Sequence, residues 1–279
     1  MRALCSLGLL LLFAHPATAQ DPSVVTVDGR PVEVLLLGSG TPLLVLEGGV
    51  GADARAWNSV IVELAKHTRI LAYSRSGHGR SGAAPGDGSP AQAVRELHQL
   101  LNAIGNTSQI VIAAHSYGGI LARLYASTYP EQVAGLVLVD ATHESQFARW
   151  EALLPGLRVA ELLETGLDRL PPALRSDVQH MIAIQRARLV EGMTPLADMP
   201  LAVITAMKPC APDREPTCRD PRALEAWRQM HDEWAARSSN ALRLISDRTE
   251  HYVMTDQPDL VIRGVQFVVE QVRARAGRK

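Results

Sequence analysis

Apolar positions along the chain fall into short unbroken runs separated by helical patterns. The runs at 42–46, 69–73, 110–114, 133–139 and 201–205 hold few polar residues, as strands buried on both faces of a parallel sheet do. Between them, 57–66, 90–104 and 120–125 repeat apolar residues at helical spacing. The clearest is 90–104. Ser89-Pro90 supplies an N-cap and a first-turn proline, Val94, Leu97, Leu100, Leu101 and Ile104 share one face, and Gly105 follows. Ahead of these, 23–27 and 32–37 flank Asp28-Gly29-Arg30-Pro31 and predict a leading hairpin. At the far end, 241–245 reads as the last strand, and Pro258 opens a helix carrying Leu260, Val261, Val265, Val268 and Val272. The alternation predicts an α/β fold with a doubly wound, mostly parallel sheet.

The alternation breaks once. From 143 to 198 helical segments at 145–154, 157–165 and 172–189 follow one another with no strand between them. That predicts a helical cap (143–198) inserted into a core made of 20–142 and 199–279.

Composition narrows the class. Arg2, an apolar run over 3–13 and Ala17-Thr18-Ala19 predict a signal peptide over 1–19, cleaved near Ala19. The apolar run is well short of the roughly 20 residues a spanning helix needs, so the expectation is an exported protein, periplasmic or extracellular, without a permanent membrane anchor. Hydrophobic residues make up 47% of the chain, enough for a large core. The net charge of −1, with a basic run only at Arg273-Arg275-Arg278-Lys279, gives a polyanion little to bind, so no nucleic-acid partner is expected. Beyond the leader only Cys210 and Cys218 remain; in an exported protein they predict a disulfide, contributing roughly 2–3 kcal/mol by chain entropy. No C-x-x-C or H-E-x-x-H spacing points to a metal.

The run at 109–119, Gln-Ile-Val-Ile-Ala-Ala-His-Ser-Tyr-Gly-Gly, carries the candidate chemistry. A strand stops, small residues (Ala114, Gly118) stand two positions either side of Ser116, and a helix begins, the layout of a nucleophile elbow. Such a turn could join any strand to any helix, so partners decide. A serine hydroxyl needs a base, and the base needs a carboxylate to hold its tautomer. Asp140 ends the run 133–139 and His251 follows the run 241–245. In an open parallel sheet the carboxyl ends of the strands share one edge, and the order Ser, Asp, His is that of the α/β hydrolases.

Four motifs stand in order: Leu46-Glu47-Gly48-Gly49-Val50-Gly51, Arg75-Ser76-Gly77-His78-Gly79-Arg80-Ser81, Ala114-His115-Ser116-Tyr117-Gly118-Gly119 and Glu250-His251. In these the chain resembles the α/β-hydrolase fold superfamily, capped serine-hydrolase type, over about 23–275, with Ala114 where the elbow motif has glycine. The resemblance implies an oxyanion hole of two backbone N–H groups, Val50 and Tyr117, with Gly49 and His115 as candidate substrate contacts and Glu47 orienting the loop. Ser76 and Ser81 would be structural and His78 structural or pocket-lining; His143 and Glu144, just beyond Asp140, are placed to cap the first cap helix or, as the alternative, to touch substrate. Family members differ in where the acid stands, which leaves Asp213 and Asp220 as alternatives to Asp140.

The expected reaction is cleavage of a carboxylic ester, a small-molecule substrate, through an acyl-enzyme without a cofactor. An aminopeptidase or amidase, a lactonase and a carbon–carbon bond hydrolase compete on the same residues. The first would want acidic residues for the substrate amine, with Glu151, Glu161 and Glu164 as candidates. Haloalkane dehalogenation and epoxide opening are disfavoured, because those relatives carry aspartate where Ser116 stands. The reading from another class is a ligand-binding protein that keeps the pocket without turnover.

Overall fold

The computed structural model describes residues 21–83, 86–188, 196–211 and 216–278; the expected leader lies outside them. Eight strands form one sheet: β1 (Ser23–Val27), β2 (Arg30–Leu37), β3 (Leu43–Glu47), β4 (Ile70–Tyr73), β5 (Ile110–His115), β6 (Val133–Val139), β7 (Leu201–Ala206) and β8 (Ala241–Ser246). Their spatial order is β1-β2-β4-β3-β5-β6-β7-β8. β1 and β2 are antiparallel, as are β2 and β4, and every other pairing is parallel.

Strands β3, β5 and β7 are buried along their whole length, because helices cover both faces. Alternate residues feed separate cores. Leu43, Val45, Ile110, Ile112, Leu136 and Leu138 face α2 (Pro90–Ala103) and α3 (Gly118–Thr128). Leu44, Leu46, Val111, Val137 and Ile204 face α1 (Asn58–Leu64) and the C-terminal helix α9 (Pro258–Ala276). On α9, Val261, Val265, Val268 and Val269 are almost wholly buried, each contributing about 1.5–3 kcal/mol by area.

The local signals act as their chemistry dictates. Ser89 accepts a hydrogen bond from the Gln92 N–H at the start of α2. The helix expected over 57–66 divides instead into a 3-10 turn (Ala54–Trp57), started by the Asp53 side chain accepting from the Arg55 N–H, and the shorter α1. Ahead of α9 lies one short helix, α8 (Val253–Asp256).

Between β6 and β7 run α4 (Gln146–Leu153), α5 (Val159–Glu164) and α6 (Pro172–Ala187). They close over a small core of Phe147, Val159, Val178 and Ile182. α4 leans on α7 (Pro221–Ala235): the Trp150 indole N–H donates to the Ala223 carbonyl at 3.1 Å, and the Trp150 and Trp227 rings lie 5.5 Å apart. Cys210 and Cys218 form the expected disulfide, just ahead of α7.

Gly135 in β6 allows α9 to reach the sheet, since a Cβ there would stand 2.4 Å from Val268 Cγ1 and 3.1 Å from the Pro200 carbonyl. Gly135→Ala is expected to destabilise the fold by about 1–3 kcal/mol. Urea unfolding checks this; an unchanged midpoint would show that α9 yields without cost.

Candidate active site

The sheet's register sets the site. His115 pairs with Val139, and Val139 with Ile204, so the residues that follow β5 and β6, Ser116 and Asp140, leave the sheet side by side. Both take left-handed backbone, with φ of 53° at Ser116 and 41° at Asp140, at a cost of order 1–2 kcal/mol each for a residue with a Cβ. Hydrogen bonds offset it. The Ser116 N–H donates to the Val139 carbonyl at 3.3 Å, and the Ser116 carbonyl accepts from Gly119 and Thr142, both at 2.9 Å. The Asp140 N–H donates to the Ile204 carbonyl at 2.9 Å. Small residues are required around the elbow: a Cβ on Gly118 would stand 2.5 Å from the Gly48 carbonyl, and one on Gly119 2.4 Å from the Ala141 Cβ.

Asp140 is 3% exposed. Its Oδ1 accepts from the Ala206 N–H (2.9 Å) and the Trp227 indole N–H (2.8 Å), while Oδ2 faces His251 Nδ1 at 2.7 Å. Burial alone would raise its pKa; the hydrogen bond and charge of His251, with His231 and the Ala206 N–H, outweigh burial and lower it. Of the alternative acids, Asp220 caps α7 by accepting from the Arg222 N–H and its guanidinium, and Asp213 lies outside the described residues. Asp140 is therefore the carboxylate that meets His251.

His251 stands after β8 with its side chain 45% exposed. Its carbonyl accepts from His115 Nε2 at 2.9 Å, and the two rings are 4.5 Å apart. Burial pushes the His115 pKa down to about 3; the ring is neutral and carries its proton on Nε2, because its partner is a carbonyl. His115, expected to contact substrate, is thus only 5% exposed and braces the His251 loop from the residue next to Ser116. The exposed aromatic beside His251 is Tyr252, 64% exposed and 5.6 Å from it between ring centres.

The glycine loop after β3 packs on the elbow, where a Cβ on Gly49 would stand 3.0 Å from the Ser116 Cβ. Among the described residues no acceptor engages the N–H of Val50 or of Tyr117. Glu47, expected to orient this loop, acts with two partners that the motifs do not assign to it, Arg75 and Asp177. Arg75, 7% exposed, donates through Nη1 to Glu47 Oε1 (2.7 Å) and the Gly48 carbonyl (2.8 Å), and through Nη2 to the Gly49 carbonyl (2.6 Å) and Asp177 Oδ2 (2.7 Å). Tyr73 donates its hydroxyl proton to the other Glu47 oxygen. Asp177 belongs to α6, and its Oδ2 also accepts from the Gly51 N–H at 3.0 Å and faces His78 Nε2 at 3.2 Å. Burial would raise the Asp177 pKa, but the Arg75 charge, His78 and the Gly51 N–H outweigh it and hold it at about 2.

Four of the remaining candidates are engaged elsewhere. His143 is buried and its Nδ1 accepts from the Ser145 N–H; Glu144 pairs with Arg123 at 2.8 Å. Glu151 accepts from the Val159 N–H at the start of α5, and Glu164 binds Arg186 on the surface. Among the described residues no group of three or more His, Cys, Asp or Glu is arranged to hold a metal ion, and no helix is long and apolar enough to cross a membrane.

Residues 41–182, just over half of the chain, match the alpha/beta hydrolase fold family, and the chain belongs to it. It is 30% identical over 103 residues to the uncharacterized protein YqjL of Bacillus subtilis, a stretch that covers 37% of this chain and 41% of that one. The chain spans less than half the length of the curated relatives it matches. A thermophilic esterase from Thermogutta terrifontis shares the fold with a TM-score of 0.61 at 19% identity, over 91% of this chain and 99% of that one. A serine hydrolase involved in carbazole degradation, CarC, gives 0.61 at 20% identity, over 88% and 98%. At these identities the two structures establish likeness of fold alone.

Two predictions follow from the buried groups. Burial lowers the pKa of His115 to about 3 and those of His143 and His231 to about 4, against roughly 6.5 in an unfolded chain. Between those values the unfolded chain binds more protons than the folded one, so stability is full above about pH 6.5 and falls as pH drops toward 4, each histidine contributing up to about 1.4 kcal/mol per pH unit. Urea midpoints that stay level from pH 7 to 4.5 would contradict this. Trp227→Phe keeps an aromatic side chain but takes a donor from buried Asp140, at an expected cost of about 1–3 kcal/mol on top of the packing lost with the smaller ring. Chemical unfolding at pH 7 measures it, and wild-type stability would mean that the bond contributes nothing.

Proposed function

We propose that the protein is a serine hydrolase that cleaves carboxylic esters of small molecules through an acyl-enzyme, with Ser116 as nucleophile, His251 as base and Asp140 as the acid that orients it. The observation that carries the reading is the 2.7 Å contact of His251 Nδ1 with buried Asp140, braced against the residue next to Ser116. Contact with a carboxylate at Nδ1 leaves Nε2 as the basic nitrogen of neutral His251, the tautomer that can accept the Ser116 proton. Ser116 Oγ bonds to the ester carbonyl carbon, and its proton passes to His251, which returns it to the departing alcohol. Water then repeats the sequence on the acyl-enzyme, freeing the acid and Ser116. The oxyanion falls to the Val50 and Tyr117 N–H groups, which no protein acceptor occupies among the described residues; one such donor is worth roughly 3 kcal/mol in the transition state.

The commitments of Glu151 and Glu164 to the Val159 N–H and to Arg186 favour an ester over the free amine of an aminopeptidase substrate. Export fits the leader pattern over 1–19 and the disulfide, which suits an oxidising compartment. The helices between β6 and β7 serve in this reading as the cap over the acyl pocket.

Hydrolysis of p-nitrophenyl esters of increasing acyl length by the wild type and by Ser116→Ala tests the proposal. The variant is expected to lose about a millionfold in turnover. Equal activity in both proteins would remove Ser116 from the mechanism. Absence of turnover in the wild type, with tight ligand binding, would favour a binding protein instead.

A further inference from the structure

We propose that Asp177 is a positioning residue through which helix α6 fixes the oxyanion loop, so that the Val50 N–H is aimed only while α6 is docked. The inference rests on the serine-hydrolase reading and adds to it a residue outside the triad and the elbow.

Asp177 controls both peptide groups that flank Val50. A peptide unit is planar and trans, so its carbonyl and N–H point in opposite directions. The Gly49 carbonyl and the Val50 N–H belong to one such unit; Arg75 Nη2 holds that carbonyl at 2.6 Å, and the N–H is therefore turned the other way. The same Nη2 is held at 2.7 Å by Asp177 Oδ2. The next unit joins the Val50 carbonyl to the Gly51 N–H, which donates directly to Asp177 Oδ2 at 3.0 Å. One carboxylate oxygen thus sets the first unit through Arg75 and the second by itself. The Val50 side chain packs both against the main core and against the core of the inserted helices.

The docking is close. A Cβ on Gly51 would stand 2.8 Å from Leu174 Cδ1, one on Gly77 2.7 Å from the Ala173 Cβ, and one on Gly88 2.3 Å from Ser176 Oγ. All three glycines have positive φ (71°, 76° and 66°) and lie against the first turns of α6. Asp177 is one turn further along, 7% exposed. A contact that served only to attach α6 would need neither the Gly51 N–H nor the Arg75 nitrogen that holds the Gly49 carbonyl.

Kinetics separate positioning from attachment. Asp177→Asn keeps the size and one acceptor but removes the charge that holds Arg75. Its kcat on a p-nitrophenyl ester is expected to fall about a hundredfold, the effect of misaiming a catalytic group by about 1 Å, with KM little changed. Affinity for phenylboronic acid, whose tetrahedral serine adduct places an oxygen where the oxyanion forms, should fall in parallel. Arg75→Lys, which keeps the charge but cannot fork to two carbonyls, should do the same, and it carries the test if Asp177→Asn does not fold. Val268→Ala loosens the core between α9 and the sheet, away from α6 and the network; it should lower Tm and leave kcat near that of the wild type. Wild-type kcat and boronate affinity in Asp177→Asn, or in Arg75→Lys where that variant stands in, would overturn the proposal. So would a Val268→Ala variant with the same loss of kcat. Failure of the underlying reading appears separately, as activity that survives in Ser116→Ala.

Discussion

The Arg75 guanidinium is a full positive charge buried at the carboxyl edge of the sheet, and the structure around it is shaped by the need to satisfy it. Removing such a charge from water costs several kcal/mol unless each donor finds an acceptor. Two carboxylates and two carbonyls serve its two terminal nitrogens, Glu47 from the end of β3, Asp177 from α6, and the Gly48 and Gly49 carbonyls, while among the described residues Nε meets no acceptor. These acceptors come from segments far apart in sequence, and the charge gathers them at one point. Arginine suits the position because its planar fork can serve a carboxylate and a carbonyl from each terminal nitrogen, which an ammonium on a flexible stem cannot.

The second constraint is strain at the strand ends. Ser116 and Asp140 both occupy left-handed backbone at neighbouring exits from the sheet, and each is tied to the next strand along: Ser116 to Val139, Asp140 to Ile204. The strain turns both chains sharply at the same level. It also requires the glycines that follow Ser116 to lie against other backbone, Gly118 on the Gly48 carbonyl and Gly119 on Ala141. The loop held by Arg75 and the turn held by β6 are therefore in contact, and neither can shift without the other.

Much of this edge was legible in the sequence. Unbroken apolar runs mark the parallel strands, the small residues around Ser116 mark the turn, and the carboxyl ends of the runs point to Asp140 and His251. Asp140 directly ends an apolar run, which is why it reaches the sheet edge, whereas Asp220 stands in a polar loop and is used to cap α7. What was not legible depends on the rotation of helices. Asp177 lies 102 residues from Arg75, and Trp227 lies 87 from Asp140; neither sits in a motif, and their helical patterns say which face is apolar without saying what a polar residue on that face will meet. The partner of His115 is hidden for a related reason: the turn at Ser116 brings its imidazole to the His251 carbonyl, 136 residues further along the chain.

The position of the inserted helices in the chain matters more than their size. They leave the core shortly after Asp140 and return at β7, whose last residue, Ala206, supplies an N–H to Asp140. The insertion thus begins beside this carboxylate, and the strand to which it returns ends beside it. Within it, α4 places Trp150 against Trp227, whose indole N–H also holds Asp140, and α6 places Asp177 against the glycine loop. The insertion braces the candidate acid from one side and the candidate oxyanion loop from the other, with Ser116 between them in the chain's turn. A change in how those helices pack would be felt at both places, because the contacts are a buried ion pair and a buried hydrogen bond, interactions that lose most of their strength with small displacements.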